Sequence, residues 1–460
     1  MTVTVRPIDT TSLGDRSYLV HDGDVAAVID PQRDIDRVLD AAQQARVRIT
    51  HVLETHVHND YVTGGLALSR RVGADYHVAA GEHVSFQRTA VDDGITIDVG
   101  SMTIEAVATP GHTHDHLAYV VHDAVSSTGR PFAVFTGGSL LYDTVGRTDL
   151  LGDADTDELT RAQWRSARAL LDRLPDNVHV LPTHGFGSFC SSGPASDRAD
   201  GTIADERAGN LAAIIDDEDA FVRELLQGLT AYPAYYAHMD PLNRAGPFEP
   251  DLSPLPPLAA HDLRRRLEHR EWVIDVRERR AFATEHLAGS IGVELSESFA
   301  TYVGWLLPWG ARLTLLGWSP DDIAAAHREL VRIGIDRPSN GAVGPVEDMA
   351  GDRPVLRYPV VDFATLSERV QTEMDSPVQV IDVRRLDEFH ERHLERAHHV
   401  PLHELADSFH HIPPGELWVH CSTGARASIA AALLEREGHH VVLIDDDLDN
   451  APAHLLSPAP

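Results

Sequence analysis

A chain of 460 residues is too long for one hydrophobic core, and its length predicts about three domains. The formal net charge of −32 disfavours nucleic acid and anionic membrane surfaces as partners, and no apolar run reaches the length of a membrane span. Because the chain has only two cysteines and an N-terminus without a signal-peptide pattern, we expect a reducing compartment, the cytoplasm by default.

The first block of the chain alternates strand-like runs with helical patterns. The predicted elements, in chain order, are strand 25–29, helix 34–44, strand 49–53, helix 64–70 and strand 106–108. The first strand ends at the turn signal Asp30-Pro31, and the last one stops at Thr109-Pro110-Gly111.

Metal-binding side chains follow strands at three places. The segment after 49–53 contains His56, His58 and Asp60, and single histidines follow at His112 and His184, each on a turn after a strand. Neutral imidazoles suit zinc or iron, and a carboxylate adds a hard anionic ligand. The simpler interpretation is a polar turn with chance histidines, in a chain that has 28 of them. Three such strand ends instead predict loops that converge on a metal at one edge of a β-sandwich.

Two other side chains near these loops have open interpretations. Cys190 follows the His184 turn and is either a buried, inert thiol or a group that holds a sulfur substrate. His114 and His116 are expected at the surface or behind the metal ligands. Asp143 is close in sequence to the predicted site, but sequence alone does not show that it reaches a metal.

The second half of the chain contains an internal duplication. The segment around Val273-Ile274-Asp275-Val276-Arg277 matches that around Val380-Ile381-Asp382-Val383-Arg384 at a constant offset of 107 residues (382 − 275, 389 − 282 and 393 − 286). A pattern kept in register predicts two copies of one α/β unit. Proline-dense residues precede the first copy and predict a semi-rigid linker. The predicted domains are a metal domain at 1–245, a linker at 246–258, and the two copies at 259–345 and 356–455.

The second copy contains a cysteine at the start of a helix. A strand at 416–420 leads into the loop Cys421-Ser422-Thr423-Gly424-Ala425-Arg426, and 427–437 are strongly helical. Backbone N–H groups of such a loop and the helix dipole stabilise a thiolate and an anion bound to it. We predict Cys421 and Arg426 as catalytic, and Ser422, Thr423, Gly424 and Ala425 as substrate-binding. The corresponding strand of the first copy, 312–316, leads into Ser319-Pro320 without a cysteine, so this copy is expected to be a spacer or docking surface.

The first block resembles the metallo-β-lactamase fold, in its glyoxalase II and persulfide dioxygenase branch. The motifs that carry the resemblance are Thr55-His56-x-His58-x-Asp60, Thr109-Pro110-Gly111-His112, Phe135-Thr136-Gly137, Gly146-Arg147-Thr148-Asp149 and Pro182-Thr183-His184-Gly185. The resemblance implies a four-layer αββα sandwich with a metal at the loop edge. It gives metal-ligand roles to His56 and His112, and candidate roles to His58, Asp60 and His184.

Two positions depart from this family. Tyr61 stands where the family has the last histidine of its first motif, which weakens a second metal site. Gly138 stands where the family has an aspartate that completes a two-histidine, one-carboxylate set for Fe(II). The expected cofactor is therefore one metal ion per chain, Fe(II) by resemblance, with Zn(II) as the alternative that three neutral histidines favour.

The cysteine loop and the pattern upstream of it resemble rhodaneses. The whole chain is thus similar to persulfide dioxygenase–rhodanese fusions, with an α/β multidomain architecture in which two rhodanese-like domains with parallel sheets follow the sandwich. The resemblance implies that a low-molecular-weight persulfide or thiosulfate and a thiol acceptor are the partners. The alternatives are a zinc thioester hydrolase similar to glyoxalase II, and a degenerate metal domain on a sulfur carrier. A homo-oligomer is left open.

Overall fold

The structure, a computed structural model, describes residues 3–123, 130–196, 198–372 and 378–457. The chain divides into two compact units. The first comprises Met1–Asp251 with Leu330–Gly334, and the second comprises Leu252–Glu329 with Ile335–Pro460. Among the helices of the described ranges, none combines the length and the apolar character needed to cross a bilayer.

Two β-sheets form the centre of the first unit. Their strands are β1 (Thr4–Thr10), β2 (Asp15–His21), β3 (Val25–Ile29), β4 (Arg48–Leu53), β5 (Asp75–Ala79), β6 (Thr89–Val91), β7 (Thr96–Val99), β8 (Met102–Ala108), β9 (Leu117–Asp123), β10 (Pro131–Gly137) and β11 (His179–Pro182). The first sheet has the order β1-β2-β3-β4-β5-β6, and the second has the order β11-β10-β9-β8-β7. Because β3, β4 and β5 pair in parallel, their carboxyl ends lie at one edge of the first sheet.

Helices cover the outer face of each sheet. They are α1 (Asp36–Ala45), α2 (Gly65–Val72), α3 (Asp153–Arg173), α4 (Ile203–Gly209), α5 (Leu211–Ile214), α6 (Glu218–Gly228) and α7 (Tyr236–Ala245). One apolar cluster, which includes Tyr18 and Phe135, fills the space between the sheets. Separate clusters lie under α1 and α2 and under α3 to α6. These layers confirm the predicted αββα sandwich.

The sequence patterns explain where the elements begin and end. The predicted strand 25–29 is β3, and it is buried along its whole length. The predicted strand 106–108 is only the last part of β8, which alternates buried and less buried residues from Met102 onward. Its outward positions hold polar residues, so an apolar run marked only its end. Helix α1 ends where Arg46 adopts a left-handed conformation with φ 58°.

The remaining elements form two smaller parallel sheets and a two-stranded antiparallel ribbon, with surrounding helices. They are α8 (Ala260–Glu268), β12 (Trp272–Asp275), α9 (Arg279–Thr284), β13 (His286–Leu287), β14 (Ile291–Gly292), α10 (Phe299–Leu306), β15 (Leu313–Gly317), α11 (Pro320–Arg332), β16 (Asn340–Val343), α12 (Val346–Ala350), β17 (Val355–Leu356), β18 (Val360–Val361), α13 (Phe363–Gln371), β19 (Gln379–Asp382), α14 (Leu386–Glu391), β20 (His398–His399), α15 (Leu405–Ser408), β21 (Glu416–His420), α16 (Ala425–Arg436) and β22 (His440–Ile444). Short 3₁₀ turns cover Leu402–Glu404, Phe409–His411, Leu448–Asn450 and Ala453–Leu455.

The two smaller sheets repeat one topology. The order β14-β12-β15-β16 matches the order β20-β19-β21-β22 within the second sheet, and the pairs are parallel in both. Elements β12, α9 and β14 each begin 107 residues before β19, α14 and β20. The parallel sheets are as predicted from the duplicated sequence. We propose on this basis that 259–345 and 356–455 are separate domains, with 246–258 as the connection before them.

Candidate functional site

Three histidines follow three different strands and meet at one edge of the first unit. His56 lies after β4, His112 after β8 and His184 after β11, and each is at most 1% exposed. The Nε2 atoms of His56 and His184 are 3.3 Å apart. The ring centroid of His112 lies 4.8 Å from that of His56 and 5.3 Å from that of His184. These side chains, called here the three-histidine centre, present ligand atoms within 4.8 Å of one another, close enough to hold one metal ion.

Hydrogen bonds at the far side of each ring fix the orientation of the three imidazoles. Nδ1 of His112 lies 2.7 Å from the Arg147 carbonyl oxygen. Nδ1 of His184 lies 2.8 Å from a carboxylate oxygen of Asp15. Nδ1 of His56 lies 2.9 Å from the Thr55 hydroxyl. Each contact leaves Nε2 facing the centre, and Nε2 of the fully buried His112 has no hydrogen-bond partner among the described residues. Such contacts set the tautomer and are the usual support of metal-binding imidazoles.

The three imidazoles of the centre differ in pKa. Burial and the neighbouring imidazoles lower the pKa of His56 well below its usual value, and burial and His184 lower the pKa of His112 to about 3. Burial also disfavours a charged His184, but Asp60 and Asp15 outweigh it and raise its pKa to about 10. Two rings are thus neutral near pH 7 and offer lone pairs, and the third ring is held by carboxylates.

Gly138 is explained by the position of His112. A Cβ atom at Gly138 would lie 2.3 Å from Cδ2 of His112, and one at Gly146 would lie 2.8 Å from its Nδ1. The His112 ring thus occupies the space in which a side chain at position 138 would begin. The Gly138 N–H donates to Nε2 of His116 at 3.0 Å, and the His116 ring stacks on His56. The carboxylate expected from the family has no room here, and His184 completes the group instead.

His58 and Asp60 contact side chains next to the three-histidine centre, and their candidate roles as metal ligands stay predictions. Nε2 of His58 lies 3.3 Å from Asp30 and 3.3 Å from Glu54. Burial opposes the charged form of His58, but these carboxylates raise its pKa to about 9. Asp60 lies 3.1 Å from Nδ1 of His184, on the far side from the centre. His58, Asp60 and His184 form a second group of suitable spacing, but neither His58 nor Asp60 belongs to the three-histidine centre.

The structure also places the nearby side chains whose roles the sequence leaves open. Asp143 is exposed and pairs with Arg198, so it does not face the centre. His114 is half-exposed and lies 3.5 Å from Asp155, whereas the buried His116 supports the His56 ring. Cys190 is fully buried, and burial followed by Asp60 and Asp15 raises the pKa of its thiol well above the usual value. This environment disfavours a thiolate at Cys190.

Sequence reasoning missed the acidic residues behind the histidines. Asp15 starts β2, and Asp30 ends β3 with a left-handed φ of 50°. Asp30 accepts hydrogen bonds from the hydroxyls of Thr55 and Thr183, which tie two site loops to one carboxylate. The available signal was the Asp30-Pro31 turn at the same strand edge as His56. Asp15 carried no comparable signal, because its strand reaches His184 only through the fold.

The second candidate site is the loop between β21 and α16. Cys421 is 1% exposed, and the Gly424 N–H donates to its Sγ at 3.2 Å. Gly424 has a φ of 91°, and Asp445 packs against its Cα, since a Cβ there would lie 2.1 Å from Oδ1 of Asp445. The loop therefore directs the backbone N–H of Gly424 at the thiol.

Arg426 is paired rather than free. Its guanidinium donates to both carboxylate oxygens of Glu388, at 2.5 and 2.6 Å, and to the Ser422 hydroxyl at 3.1 Å. Burial works against an ionised Glu388, but Arg426 lowers the pKa of that carboxyl to about 2. Arg426 therefore anchors the loop to α14, and its charge near Cys421 is largely balanced by Glu388.

The first copy contacts the loop region of the second copy. Arg279 on α9 donates to Asp445 at 2.7 Å, and Arg280 donates to the other oxygen of the same carboxylate. Tyr302 on α10 is partly buried near the loop: burial raises the pKa of its hydroxyl, Arg426 lowers it and Cys421 raises it. Side chains of this copy thus support the Cys421 loop, and its expected role as a spacer or docking surface stays a prediction.

Comparison with known proteins agrees with the architecture. Residues 366–450 match the family described as Rhodanese-like domain. The chain has the fold of a metallo-beta-lactamase from Staphylococcus aureus subsp. aureus COL, with a TM-score of 0.68 and 23% identity over 75% of this chain and 100% of that one. The molecule therefore combines a metallo-β-lactamase fold with a C-terminal rhodanese domain.

Relatives by sequence match part of the chain. A hydroxyacylglutathione hydrolase from Acidiphilium cryptum is 35% identical over 115 residues, which are 25% of this chain and 47% of that protein. A probable polyketide biosynthesis zinc-dependent hydrolase from Bacillus velezensis is 26% identical over 167 residues, 35% of this chain and 68% of that protein. The chain spans about half to two thirds of the length of these relatives.

Proposed function

We propose that the chain is a sulfur-metabolism enzyme with two sites. The metal domain oxidises a low-molecular-weight persulfide, and the rhodanese domain transfers sulfane sulfur through Cys421. The observation that carries this proposal is the presence of a buried three-histidine centre and a Cys421 loop on one chain. In the metal-dependent reaction, a persulfide RSSH, O2 and water give the thiol RSH, sulfite and two protons.

His56, His112 and His184 are the proposed metal ligands. Their donor set fits a divalent transition metal, because three buried imidazoles present Nε2 to one point and that of His112 has no hydrogen-bond partner among the described residues. A bound ion would supply Lewis-acid chemistry and, if it is ferrous iron, the binding and reduction of O2. Asp15 and Asp60 hold the His184 ring and keep its Nδ1 protonated, which leaves Nε2 as the donor atom.

Cys421 is the proposed nucleophile of the second site. Its thiolate attacks the outer sulfur of thiosulfate, the sulfur–sulfur bond of thiosulfate breaks, and sulfite leaves with the electron pair. The Gly424 N–H, 3.2 Å from Sγ, stabilises negative charge on the thiolate and on the resulting persulfide. An acceptor thiolate then attacks the terminal sulfur, which yields its persulfide and restores the Cys421 thiolate.

A zinc-dependent thioester hydrolase is the second candidate for the metal domain. Three imidazoles with no carboxylate ligand form a set typical of catalytic zinc, with a fourth position for water. The similarity to proteins described as hydroxyacylglutathione hydrolase and zinc-dependent hydrolase favours the same reaction class. Tyr61, whose hydroxyl lies 2.9 Å from Nε2 of His58, stands in the place of a second-site histidine and disfavours a two-metal form.

Oxygen uptake separates these candidates. We expect protein purified anaerobically and reloaded with Fe(II) to consume O2 with glutathione persulfide and to release sulfite. His184→Ala should abolish uptake and metal retention, whereas His83→Ala, at an exposed position, should leave both unchanged. Hydrolysis of S-lactoylglutathione by the zinc-loaded protein, without O2 consumption by the iron-loaded one, would establish the hydrolase instead. If both assays are negative while Cys421 still transfers sulfur, the metal domain is not an enzyme.

A further inference from the structure

A second set of metal-ligand side chains lies on the first sheet, outside the three-histidine centre. His51 on β4 faces Asp75 on β5 directly across the parallel pair, and His77 follows two residues later on the same face. The His51 and His77 rings stack with centroids 5.3 Å apart. The three side chains present ligand atoms within 4.8 Å of one another. We propose that His51, Asp75 and His77 bind a divalent transition metal of the Zn(II) or Co(II) class.

The placement of these residues breaks the apolar pattern of the sheet. Side chains on one face of a strand alternate with those on the other, so His51 shares its face with Leu53, and His77 shares its face with Ala79. Leu53 and Ala79 belong to the core between the two sheets. Further apolar residues would be expected along this face, but histidines and an aspartate occupy it instead. A polar group at a core-facing position requires a partner.

His77 has no such partner within the described part of the chain. It is 5% exposed, and neither Nδ1 nor Nε2 makes a hydrogen bond to another described residue. Buried imidazoles almost always have at least one ring nitrogen bonded. A neutral imidazole has a lone pair on one of its two ring nitrogens. A metal ion satisfies this atom where the surrounding side chains do not.

His51 is oriented to share such an ion. The Thr50 hydroxyl donates to the Ala26 carbonyl at 3.3 Å, and its oxygen therefore accepts from Nδ1 of His51 at 2.8 Å. This contact leaves the lone pair of His51 on Nε2. His51 is half-buried and Asp75 is exposed, so both side chains are able to rotate towards an ion held at about 2.0–2.2 Å from each donor.

The set differs from the three-histidine centre in place and in chemistry. It lies at the beginning of β5 and in the middle of β4, whereas His56 lies beyond the carboxyl end of β4. Two imidazoles and a carboxylate leave open positions for water, and an ion there would tie β4 to β5. The inference is independent of the reaction proposed for the three-histidine centre.

Metal titration of the full chain tests the site. Protein stripped with a chelator is titrated with Co(II), and bound metal is counted by mass spectrometry and followed by the visible spectrum. We expect wild type to bind one equivalent more than His51→Gln, and Asp75→Asn to bind the additional equivalent at least tenfold more weakly. Asp98→Asn, an exposed aspartate on β7, is the matched control and should behave as wild type.

The difference in bound metal between wild type and His51→Gln does not depend on metal binding at the three-histidine centre. If the three-histidine centre binds no Co(II), wild type still exceeds His51→Gln by one equivalent. Equal stoichiometry and equal affinity in wild type, His51→Gln and Asp75→Asn would refute the site. Because His51 and Asp75 are not fully buried, both substitutions are expected to leave the fold intact, which circular dichroism verifies.

Discussion

At the scale of single residues, the position of the His112 ring explains why residue 138 is a glycine. The sequence shows a glycine where a carboxylate is expected, which by itself indicates a lost ligand. The structure shows that the His112 ring fills the space beside that glycine and that His184 lies 3.3 Å from His56. In the proposed centre an imidazole stands in the place of one anionic ligand, and the preferred metal would change with it, because carboxylates favour harder cations.

Gly138→Ala is predicted to disturb the centre. The added Cβ would lie 2.3 Å from His112 Cδ2, so the ring must move. We expect a loss of about 1–3 kcal/mol in the free energy of unfolding, as for other overpacked sites. Metal affinity should fall by about 10- to 100-fold, as it does when the support of a ligand is disturbed. Thermal denaturation and metal analysis measure these effects.

Gly228→Ala provides the control for that experiment. The nearest atom to a Cβ at Gly228 is the Ser192 carbonyl oxygen, at 3.7 Å, which is an ordinary contact. The Gly228→Ala substitution should therefore leave the metal content unchanged. Wild-type metal affinity in Gly138→Ala would show that His112 does not ligate from the position described.

At the scale of elements, the start of α9 supports a loop in the other copy. Arg279 and Arg280 hold the Asp445 carboxylate, which packs against Gly424 in the Cys421 loop. Asp445 is buried, and both ion pairs bring cations to it from the copy that has no cysteine. This arrangement gives that copy a positioning role, because the geometry of the Gly424 N–H depends on Asp445.

Arg279→Ala combined with Arg280→Ala is predicted to slow sulfur transfer. Releasing Asp445 allows the loop to shift, and displacement of a positioned group by about 1 Å can reduce a rate about 100-fold. We expect kcat for thiosulfate to fall about 10- to 100-fold, with lysine at both positions restoring part of it. Steady-state kinetics and the pH profile of Cys421 alkylation provide the measurements.

Arg265→Ala is the control for the arginine pair. Arg265 lies on α8 and pairs with Asp262 at an exposed position. Kinetics of this variant should match wild type. Unchanged kcat and an unchanged alkylation profile in the double alanine variant would restrict Arg279 and Arg280 to a structural role.

At the scale of the whole molecule, each unit contains a complete set of candidate groups. The three histidines with Asp15 and Asp60 lie in the first unit, and Cys421 with Glu388, Arg426, Arg279 and Arg280 lies in the second. Within the described residues, no group of one set is needed to complete the other. The two sites should therefore be separable by mutation.

Single substitutions in each unit test this separation. Cys421→Ser is expected to reduce thiosulfate sulfurtransferase activity to below about one thousandth, since the hydroxyl is a poor substitute for the thiolate. Its metal content should equal that of wild type. His184→Ala should lose metal and retain sulfur transfer. Loss of both properties in either variant would show that the two sites depend on each other.

The sequence by itself determined much of this protein, because some signals are local. The alternation of strands and helices, the 107-residue duplication and the Cys421 loop depend on neighbouring residues, and each was readable before the fold was known. His56, His112 and His184 were also identifiable, because each follows a strand that ends in a turn. Their convergence depends on the fold, because His56 follows a strand of the first sheet, whereas His112 and His184 follow strands of the second.

Only the tertiary structure decided which groups face one another. Whether His58 faces a metal or the Asp30 and Glu54 carboxylates depends on ring rotation, and sequence spacing carries no information about that rotation. The support of His184 by Asp15 joins residues 169 positions apart, and the contact of Arg280 with Asp445 joins two copies of the repeat. Such contacts arise from close packing of distant segments, which determines distances and charge partners that no local pattern records.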